Sequence, residues 1–185
     1  KVIDTQKMDE KFIHVIKVIK GNIKEGMKVR AEVDKDKRNA VMKNHTCTHL
    51  LQAALRLVLG LHVEQAGSYV GADRLRFDFT HFAQLTDDEI KKVQFIMNGW
   101  IQESYDVKVE LLDFHEAKAK GAMALFDDKY KDKVRMVTVG DVSLELCAGT
   151  HISNSGEIGM VKILYSGSTS AGVRRIEAVT GRAAE

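Results

Sequence analysis

Two pairs of side chains that commonly bind metal ions lie far apart in the sequence, and both pairs have the same internal spacing. His45 and His49 are four residues apart, as are Cys147 and His151. Residues four apart in a helix lie on one face about 6 Å from each other, so two such histidines can bind one ion. Three imidazoles and one thiolate suit Zn²⁺ better than Mg²⁺ or Ca²⁺. We therefore predict a zinc site formed by both pairs; the alternative is a buried cysteine and three unconnected histidines.

The local sequence indicates how each pair is positioned. A helix predicted from about Ala40 to Leu59 carries the two histidines and ends at Gly60, a common residue just after a helix. The second pair follows a strand predicted at 142–146, and the small residues Ala148 and Gly149 allow the backbone to bend around an ion. The charged run 34–38 is predicted to be a solvated connection before the helix.

The rest of the sequence predicts an α+β fold with a largely antiparallel sheet packed with helices in a two-layer sandwich. Thr86 and Glu89 form a capping-box pattern, followed by helical spacing to about Ser104. A short helix is expected at 114–120, and strands at 69–70, 74–79, 107–112, 134–139, 158–164 and 173–179. Helices and strands do not alternate regularly, which argues against a doubly wound parallel sheet.

The N-terminal residues have strand-like patterns of their own. Residues 12–20 are rich in β-branched side chains, and 27–33 alternate apolar with charged residues. Two strands are marginal alone in water. We therefore expect a fragment of a small β-barrel or β-ribbon whose other strands precede Lys1. The predicted domains are 1–38, this partial segment, and 39–185, which carries the metal ligands.

Composition narrows the classes of function. The 185 residues are 44% hydrophobic and 29% charged, with a net charge of +2, as expected for a globular protein with a hydrophobic core. That net charge is too small to hold a nucleic acid by a global electrostatic field. No apolar run is long enough for a transmembrane helix, and no signal-peptide pattern opens the chain. Two cysteines are too few for a disulfide scaffold.

Several motifs resemble one known family. Residues 44–51 resemble the HxxxH motif of the alanyl-tRNA synthetase editing domain, and residues 145–151 resemble its CxxxH motif. Segments 62–68, 76–79 and 172–181 are also similar to that family and follow in its order. The resemblance extends over about residues 29–181 and includes the second additional domain that threonyl- and alanyl-tRNA synthetases share.

The resemblance implies a function in proofreading. The domain would hydrolyse the ester of tRNA(Ala) wrongly charged with serine or glycine, at a zinc-associated site. Its partners would be the 3′ end of that tRNA and the remainder of the synthetase, in the cytoplasm and away from membranes. The parent enzyme joins alanine to tRNA(Ala) with ATP, in a domain outside this chain. Whether zinc would activate a water, hold the amino group or only shape the pocket stays open.

Candidate site residues follow from the chemistry and the resemblance. Gln65, Thr46 and Cys147 are the candidates for catalysis. A serine hydroxyl can be distinguished from alanine only by a hydrogen-bonding partner, for which Gln65, Thr46 and Ser68 are candidates. The resemblance favours Gln65, because the matching glutamine of the family is associated with editing. Six residues are candidates for contact with substrate or RNA: Ser68, Arg74, Arg76, Lys162, Arg174 and Arg175. The remaining histidines, at 14, 62, 81 and 115, are not expected to be ligands.

Three functions remain open from the sequence. The chain is an editing domain within an alanyl-tRNA synthetase, a free-standing editing hydrolase of the same fold, or a non-catalytic RNA-binding module held together by zinc. The near-neutral charge weighs against the third, because a domain that binds RNA alone is usually more basic.

Overall fold

The computed structural model describes residues 1–9, 11–123 and 133–185. These residues form two compact units, Lys1–Val33 and Asp34–Glu185. Each unit has its own secondary structure and is described separately.

The first unit contains one antiparallel β-ribbon. Strand β1 (Val2–Met8) pairs with β2 (Lys11–Ile16). The strand predicted at 27–33 is wrong, because the structure has no strand there. Alternation of apolar and charged residues shows only which face a strand would bury. It does not supply the neighbouring strand that the backbone needs for hydrogen bonds, and none pairs with 27–33 among the described residues.

The second unit begins with the long helix that carries the two histidines. Helix α1 (Lys35–Leu59) is capped by Asp34, whose Oδ1 accepts a hydrogen bond from the backbone N–H of Lys37 at 3.0 Å. The prediction that 34–38 is a connection is therefore wrong from Lys35 onward, because an N-cap aspartate and charged side chains suit an exposed first turn. The predicted end is confirmed: the chain leaves the helix at Gly60, where φ is 117°.

Helix α2 (Asp87–Gln102) confirms the predicted capping box. The Thr86 hydroxyl accepts from the Glu89 N–H at 3.2 Å, and a Glu89 carboxylate oxygen accepts from the Thr86 N–H at 2.8 Å. The buried residues Val93, Met97 and Ile101 follow helical spacing and pack in the main core.

A four-stranded antiparallel sheet packs with these helices. Its strand order is β3 (Gln65–Val70), β4 (Leu75–Thr80), β9 (Val173–Thr180) and β8 (Val161–Ser170). Alternate residues of β4, Leu75, Phe77 and Phe79, are fully buried in a cluster that also contains Leu51 and Leu55 of α1. The strand predicted from 158 begins at Val161, because 155–158 form a 3-10 turn.

A second antiparallel sheet has the order β5 (Val107–Asp113), β6 (Lys133–Val139) and β7 (Ser143–Leu146). The short helix α3 (Phe114–Ala119) joins a smaller apolar cluster that includes Ala117, Val134, Met136 and Leu146. The predicted α+β class is confirmed, since every pair of strands is antiparallel among the described residues. In the ranges that the structure describes, no helix has both the length and the apolar character needed to cross a membrane.

Candidate metal centre

The two predicted ligand pairs come together in the second unit. Their four ligand atoms, one each from His45, His49, Cys147 and His151, all lie within 4.8 Å of one another. The Cys147 Sγ is 3.4 Å from Nε2 of His45 and 3.4 Å from Nε2 of His151. The helix therefore presents two imidazoles to a thiol and a third imidazole supplied by the chain after β7.

Two of the distances between these atoms fit a tetrahedral zinc ion. Zinc binds histidine nitrogen at about 2.0–2.1 Å and cysteine sulfur at about 2.3 Å, so the edges of its tetrahedron measure about 3.3–3.6 Å. The two Sγ–Nε2 distances of 3.4 Å fall in that range. The donor set of three nitrogens and one sulfur also favours zinc over a hard cation.

Two of the histidines are oriented by hydrogen bonds from the ring nitrogen that faces away from Cys147. Nδ1 of His45 lies 3.2 Å from the carbonyl oxygen of Thr150, and Nδ1 of His151 lies 3.1 Å from the hydroxyl of Thr46. An Nδ1–H that donates to the carbonyl leaves the lone pair on Nε2, which is the form that binds a metal. Thr46 is fully buried, and the hydrogen bond between its hydroxyl and Nδ1 orients the His151 ring.

The third histidine, His49, lies next to a buried carboxylate. Its Nδ1 has no hydrogen-bond partner and is 3.7 Å from Oε1 of Glu145, which is only 3% exposed. Burial raises the pKa of Glu145 to about 7, while a hydrogen bond from Ser143 and the charge of Arg56 act in the opposite direction. A carboxylate behind a histidine is a frequent partner of a metal-binding imidazole, and the unpartnered Nδ1 fits that arrangement.

Burial keeps the three imidazoles neutral. Desolvation is the main cause that lowers the pKa of His45 and His49, and it lowers the pKa of His151 to about 3. Neutral imidazole is the form that binds metal. Burial also raises the pKa of the Cys147 thiol, so the thiolate needs a nearby positive charge, which a metal ion provides.

The other cysteine and the other histidines are not part of this cluster. Cys47 is fully buried in the main hydrophobic core, and burial strongly raises the pKa of its thiol. His62 and His81 form a separate pair, with Nε2 and Nδ1 2.9 Å apart. Among the described residues, the four predicted ligands form the only cluster of three or more metal-binding side chains.

The turn that carries Cys147 and His151 lies against the helix. A Cβ built at Gly149 would overlap the His45 ring, 2.5 Å from Nδ1 and closer still to Cε1. Glycine is therefore required by this contact as well as by the bend that the sequence predicts. The contact joins distant parts of the chain, so the sequence gives no signal for it.

The candidates for recognising a serine hydroxyl lie on two different elements. Gln65 and Ser68 are on β3, an edge strand, where the Gln65 amide donates to the Ser68 hydroxyl at 3.3 Å. Thr46 is on α1 and bonds to His151. In the described part of the chain, neither Gln65 nor Ser68 forms a hydrogen bond with the four ligands.

The candidate arginines all have partners within the unit. Arg175 donates to both carboxylate oxygens of Asp78, at 2.7 and 2.8 Å, and Nε of Arg76 lies 3.6 Å from the same carboxylate. Arg74 is close to Asp73 and Glu177. Arg174 donates to the carbonyls of Phe82 and Ala83. Lys162 is exposed on β8.

Two residues that the sequence does not single out also support the centre. Glu145 lies behind His49, and Arg135 of β6 donates from Nη1 to the carbonyls of Cys147, at 3.4 Å, and Gly149. Glu145 lies on β7, two positions before Cys147, and a strand continued by one residue beyond Leu146 would place both side chains on one face. Arg135 gives no comparable signal, because its contacts depend on how β6 and β7 pair.

Residues 134–177 match the family described as the threonyl and alanyl tRNA synthetase second additional domain. The chain is 53% identical over 173 residues to an alanine–tRNA ligase of Petrotoga mobilis, a match that covers 94% of this chain. It is 56% identical over 170 residues to that of Thermotoga petrophila and 54% identical over 170 residues to that of Thermotoga maritima. The chain spans about 20% of the length of these relatives.

Proposed function

Because the chain belongs to the threonyl and alanyl tRNA synthetase second additional domain family, we propose that it is the editing domain of an alanine–tRNA ligase. In this proposal it hydrolyses the ester of tRNA(Ala) that carries serine or glycine. Attachment of alanine with ATP would be carried out by other parts of the ligase, and both reactions would take place in the cytoplasm.

The observation that carries the proposal is the convergence of His45, His49, Cys147 and His151. These four residues would hold zinc. When bound, zinc supplies a positive charge that can polarise a carbonyl or a water molecule, or fix the amino group of a substrate. Thr46 and the Thr150 carbonyl hold the rings of His151 and His45 in the orientation that such binding requires, and Glu145 lies 3.7 Å from the His49 ring.

The reaction is the addition of water to an ester that is already reactive. The water oxygen bonds to the acyl carbon, and the bond from that carbon to the ribose oxygen breaks. A proton moves to the ribose oxygen, which leaves free amino acid and tRNA with an intact 3′ end. The chain must therefore orient the ester and a water molecule, and must stabilise the negative charge that forms on the acyl oxygen.

Selection between substrates depends on side chains that can meet a hydroxyl group. A pocket that selects alanine by size cannot reject serine or glycine strongly, so a second site has to recognise them. Gln65 is the favoured partner for the serine hydroxyl, because Thr46 is already bonded to His151, whereas the one side-chain hydrogen bond of Gln65 within the described ranges is to Ser68 at 3.3 Å.

Binding of the RNA end is assigned to the arginines and Lys162, helped by the rest of the ligase. Asp78 and Glu177 neutralise part of the arginine charge, and the net charge of the chain is only +2. Weak intrinsic affinity is sufficient for a tethered domain, because a tether raises the effective concentration of the ester near the site. The described arginines would then contact the last phosphates or bases.

A non-catalytic role has one observation in its favour. Four protein ligands complete a tetrahedral ion, and complete sites are commonly structural.

The test is to incubate the purified chain with seryl-, glycyl- and alanyl-tRNA(Ala) and to measure the ester that remains. We expect rapid loss of the seryl or glycyl ester and slow loss of the alanyl ester. Binding of tRNA without hydrolysis would instead favour the RNA-binding module, whereas the length of the full gene decides between a domain of a ligase and a free-standing hydrolase.

A further inference from the structure

The two halves of the metal centre are held in different ways. His45 and His49 lie on consecutive turns of α1, so the helix itself sets the distance between them. Cys147 and His151 follow β7 in a segment, 147–152, that forms neither helix nor strand. The geometry of this second pair must therefore be fixed by contacts from outside the segment.

Arg135 makes those contacts from the neighbouring strand. Its backbone carbonyl accepts from the N–H of Cys147 at 2.9 Å, which continues the pairing of β6 with β7 by one residue. Its side-chain Nη1 then donates to the carbonyl of Cys147, at 3.4 Å, and to the carbonyl of Gly149. Backbone and side chain of one residue thus hold both sides of the bend at Ala148.

The position of this bend affects more than one ligand. Gly149 lies against the His45 ring, and the next carbonyl, that of Thr150, lies 3.2 Å from Nδ1 of His45. A displacement of the bend would therefore move Cys147, turn the ring of His45 and change the approach of His151. A contact that fixes the Gly149 carbonyl controls all three.

The charge of Arg135 has no carboxylate partner among the described residues, unlike that of Arg74 or Arg175. Within the described ranges, its side chain donates to carbonyls of the bend and to no other group. Replacing it would therefore leave no buried acid without a partner, and Arg135→Lys, which keeps the positive charge, separates the loss of the contacts to the bend from the loss of the charge.

We propose that Arg135 is a positioning residue for the metal centre, which sets the Cys147–His151 bend so that its two ligands meet those of α1. It acts through the carbonyls of Cys147 and Gly149 and does not touch the substrate. The proposal depends on metal binding by these four ligands and not on ester hydrolysis, so it fails or stands separately from the editing activity.

The test measures Co²⁺ binding to the purified chain by visible absorption, including the thiolate-to-cobalt charge-transfer band, which reports the bond to Cys147. Loss of an outer contact of a metal ligand typically weakens metal affinity about 10- to 100-fold. We expect at least a tenfold loss in Arg135→Gln, with a weaker thiolate band and unchanged secondary structure of the metal-free chain. Arg135→Lys, which retains one possible donor to these carbonyls, should lie between.

Arg174→Gln is the matched control, since Arg174 also donates to two loop carbonyls, those of Phe82 and Ala83. It should leave the Co²⁺ affinity within about twofold. The proposal is overturned if Arg135→Gln binds Co²⁺ as the unsubstituted chain does, if Arg174→Gln loses as much, or if the unsubstituted chain binds no Co²⁺. If Arg135→Gln does not fold, Arg135→Lys decides: weakened binding in a folded chain supports the proposal, and unchanged binding overturns it.

Discussion

Gly149 lies directly against the imidazole of His45, so a glycine near the C-terminal ligand pair determines where a ligand of the N-terminal pair can lie. The carbonyl that accepts from the same ring belongs to the next residue, Thr150. The two ligand pairs are therefore joined by packing and by a hydrogen bond in addition to any shared metal ion. Replacing Gly149 by alanine is the smallest possible side-chain change in the bend, and because of this contact it is a strong test of the metal centre.

Gly149→Ala is expected to weaken metal binding while the fold persists. The added Cβ would overlap the His45 ring, so either the ring or the bend must move away from the other ligands. We expect Zn²⁺ affinity to fall by about 10- to 100-fold, as for loss of other contacts that orient metal ligands. Competition with a colorimetric chelator measures the affinity. Ala148→Ser, an exposed change in the same bend, is the control, and equal losses in both variants would contradict the explanation.

The two cysteines provide a second comparison. Cys147→Ala should abolish metal binding and sharply reduce hydrolysis of seryl-tRNA(Ala), with little change in the unfolding temperature of the metal-free chain. Cys47→Ala should instead lower stability and leave metal binding intact. It removes a fully buried core side chain, which should lower the free energy of unfolding by about 1 kcal/mol. Thermal melts, metal analysis and ester assays separate the two.

Chelation adds a third measurement on the unsubstituted chain. The main apolar cluster contains none of the four ligands, and the capping box of α2 is formed without them, so the metal-free chain should stay folded. Global unfolding after chelation would contradict this expectation and would favour the zinc-held RNA-binding module.

Much of the centre follows from the sequence because its ligands are close in sequence within each pair. Helical spacing places His45 with His49, and the chemistry of the donors predicts that Cys147 and His151 join them. The supporting contacts cannot be predicted in this way. The hydrogen bond between Thr46 and His151 and the approach of Arg135 to the bend depend on tertiary packing, which leaves no periodic signal in the sequence.

The errors in the fold prediction also have a physical cause. The charged run 34–38 is predicted to be a connection, but a capping aspartate and solvated side chains are also compatible with a helix that starts at Lys35. At 27–33 the alternating pattern describes a strand without a partner. In both cases, local composition does not determine whether the backbone N–H and C=O groups have hydrogen-bonding partners in a helix or a neighbouring strand.

The capping box of α2 should make stability depend on acid pH. Hydrogen bonds from Thr86 lower the pKa of Glu89 below its usual value. A lowered pKa contributes stability that is present above the unfolded-state pKa of about 4.3 and is lost as the pH falls through the folded-state value. The free energy of unfolding of Glu89→Gln should therefore differ most from that of the unsubstituted chain near neutral pH, and the difference should shrink in acid.

Two measurements check that interpretation of Glu89. Urea titrations at pH values from 7 down to 3 give the difference between the two chains at each pH. The pKa of Glu157 is also lowered, chiefly by a hydrogen bond from Ser153, so only the difference between variants reports on Glu89. Thr86→Ala should cost about 1 kcal/mol at neutral pH, as for loss of an N-cap residue. A difference that does not change with pH would show that the carboxylate charge is not involved.

Gln65→Leu should reduce the preference for seryl-tRNA(Ala) over alanyl-tRNA(Ala). Serine differs from alanine by one hydroxyl, so the preference requires a partner for that group. Loss of a neutral hydrogen bond costs about 0.5–1.5 kcal/mol, and a stranded polar group costs about 1–3 kcal/mol. The ratio of the two hydrolysis rates should therefore fall by a few-fold to about a hundredfold.

Ser68→Ala separates the direct role of Gln65 from its orientation on β3. The Gln65 amide donates to the Ser68 hydroxyl at 3.3 Å, so removing that hydroxyl frees the amide without deleting it. If Gln65 contacts the substrate, Ser68→Ala should change the rate ratio less than Gln65→Leu does, because the amide is still present. Single-turnover assays on both esters give the ratio for each variant. Unchanged rates on both esters in Gln65→Leu would remove Gln65 from the site and leave Thr46, whose hydroxyl is 3.1 Å from Nδ1 of His151, as the remaining hydroxyl partner beside the metal ligands.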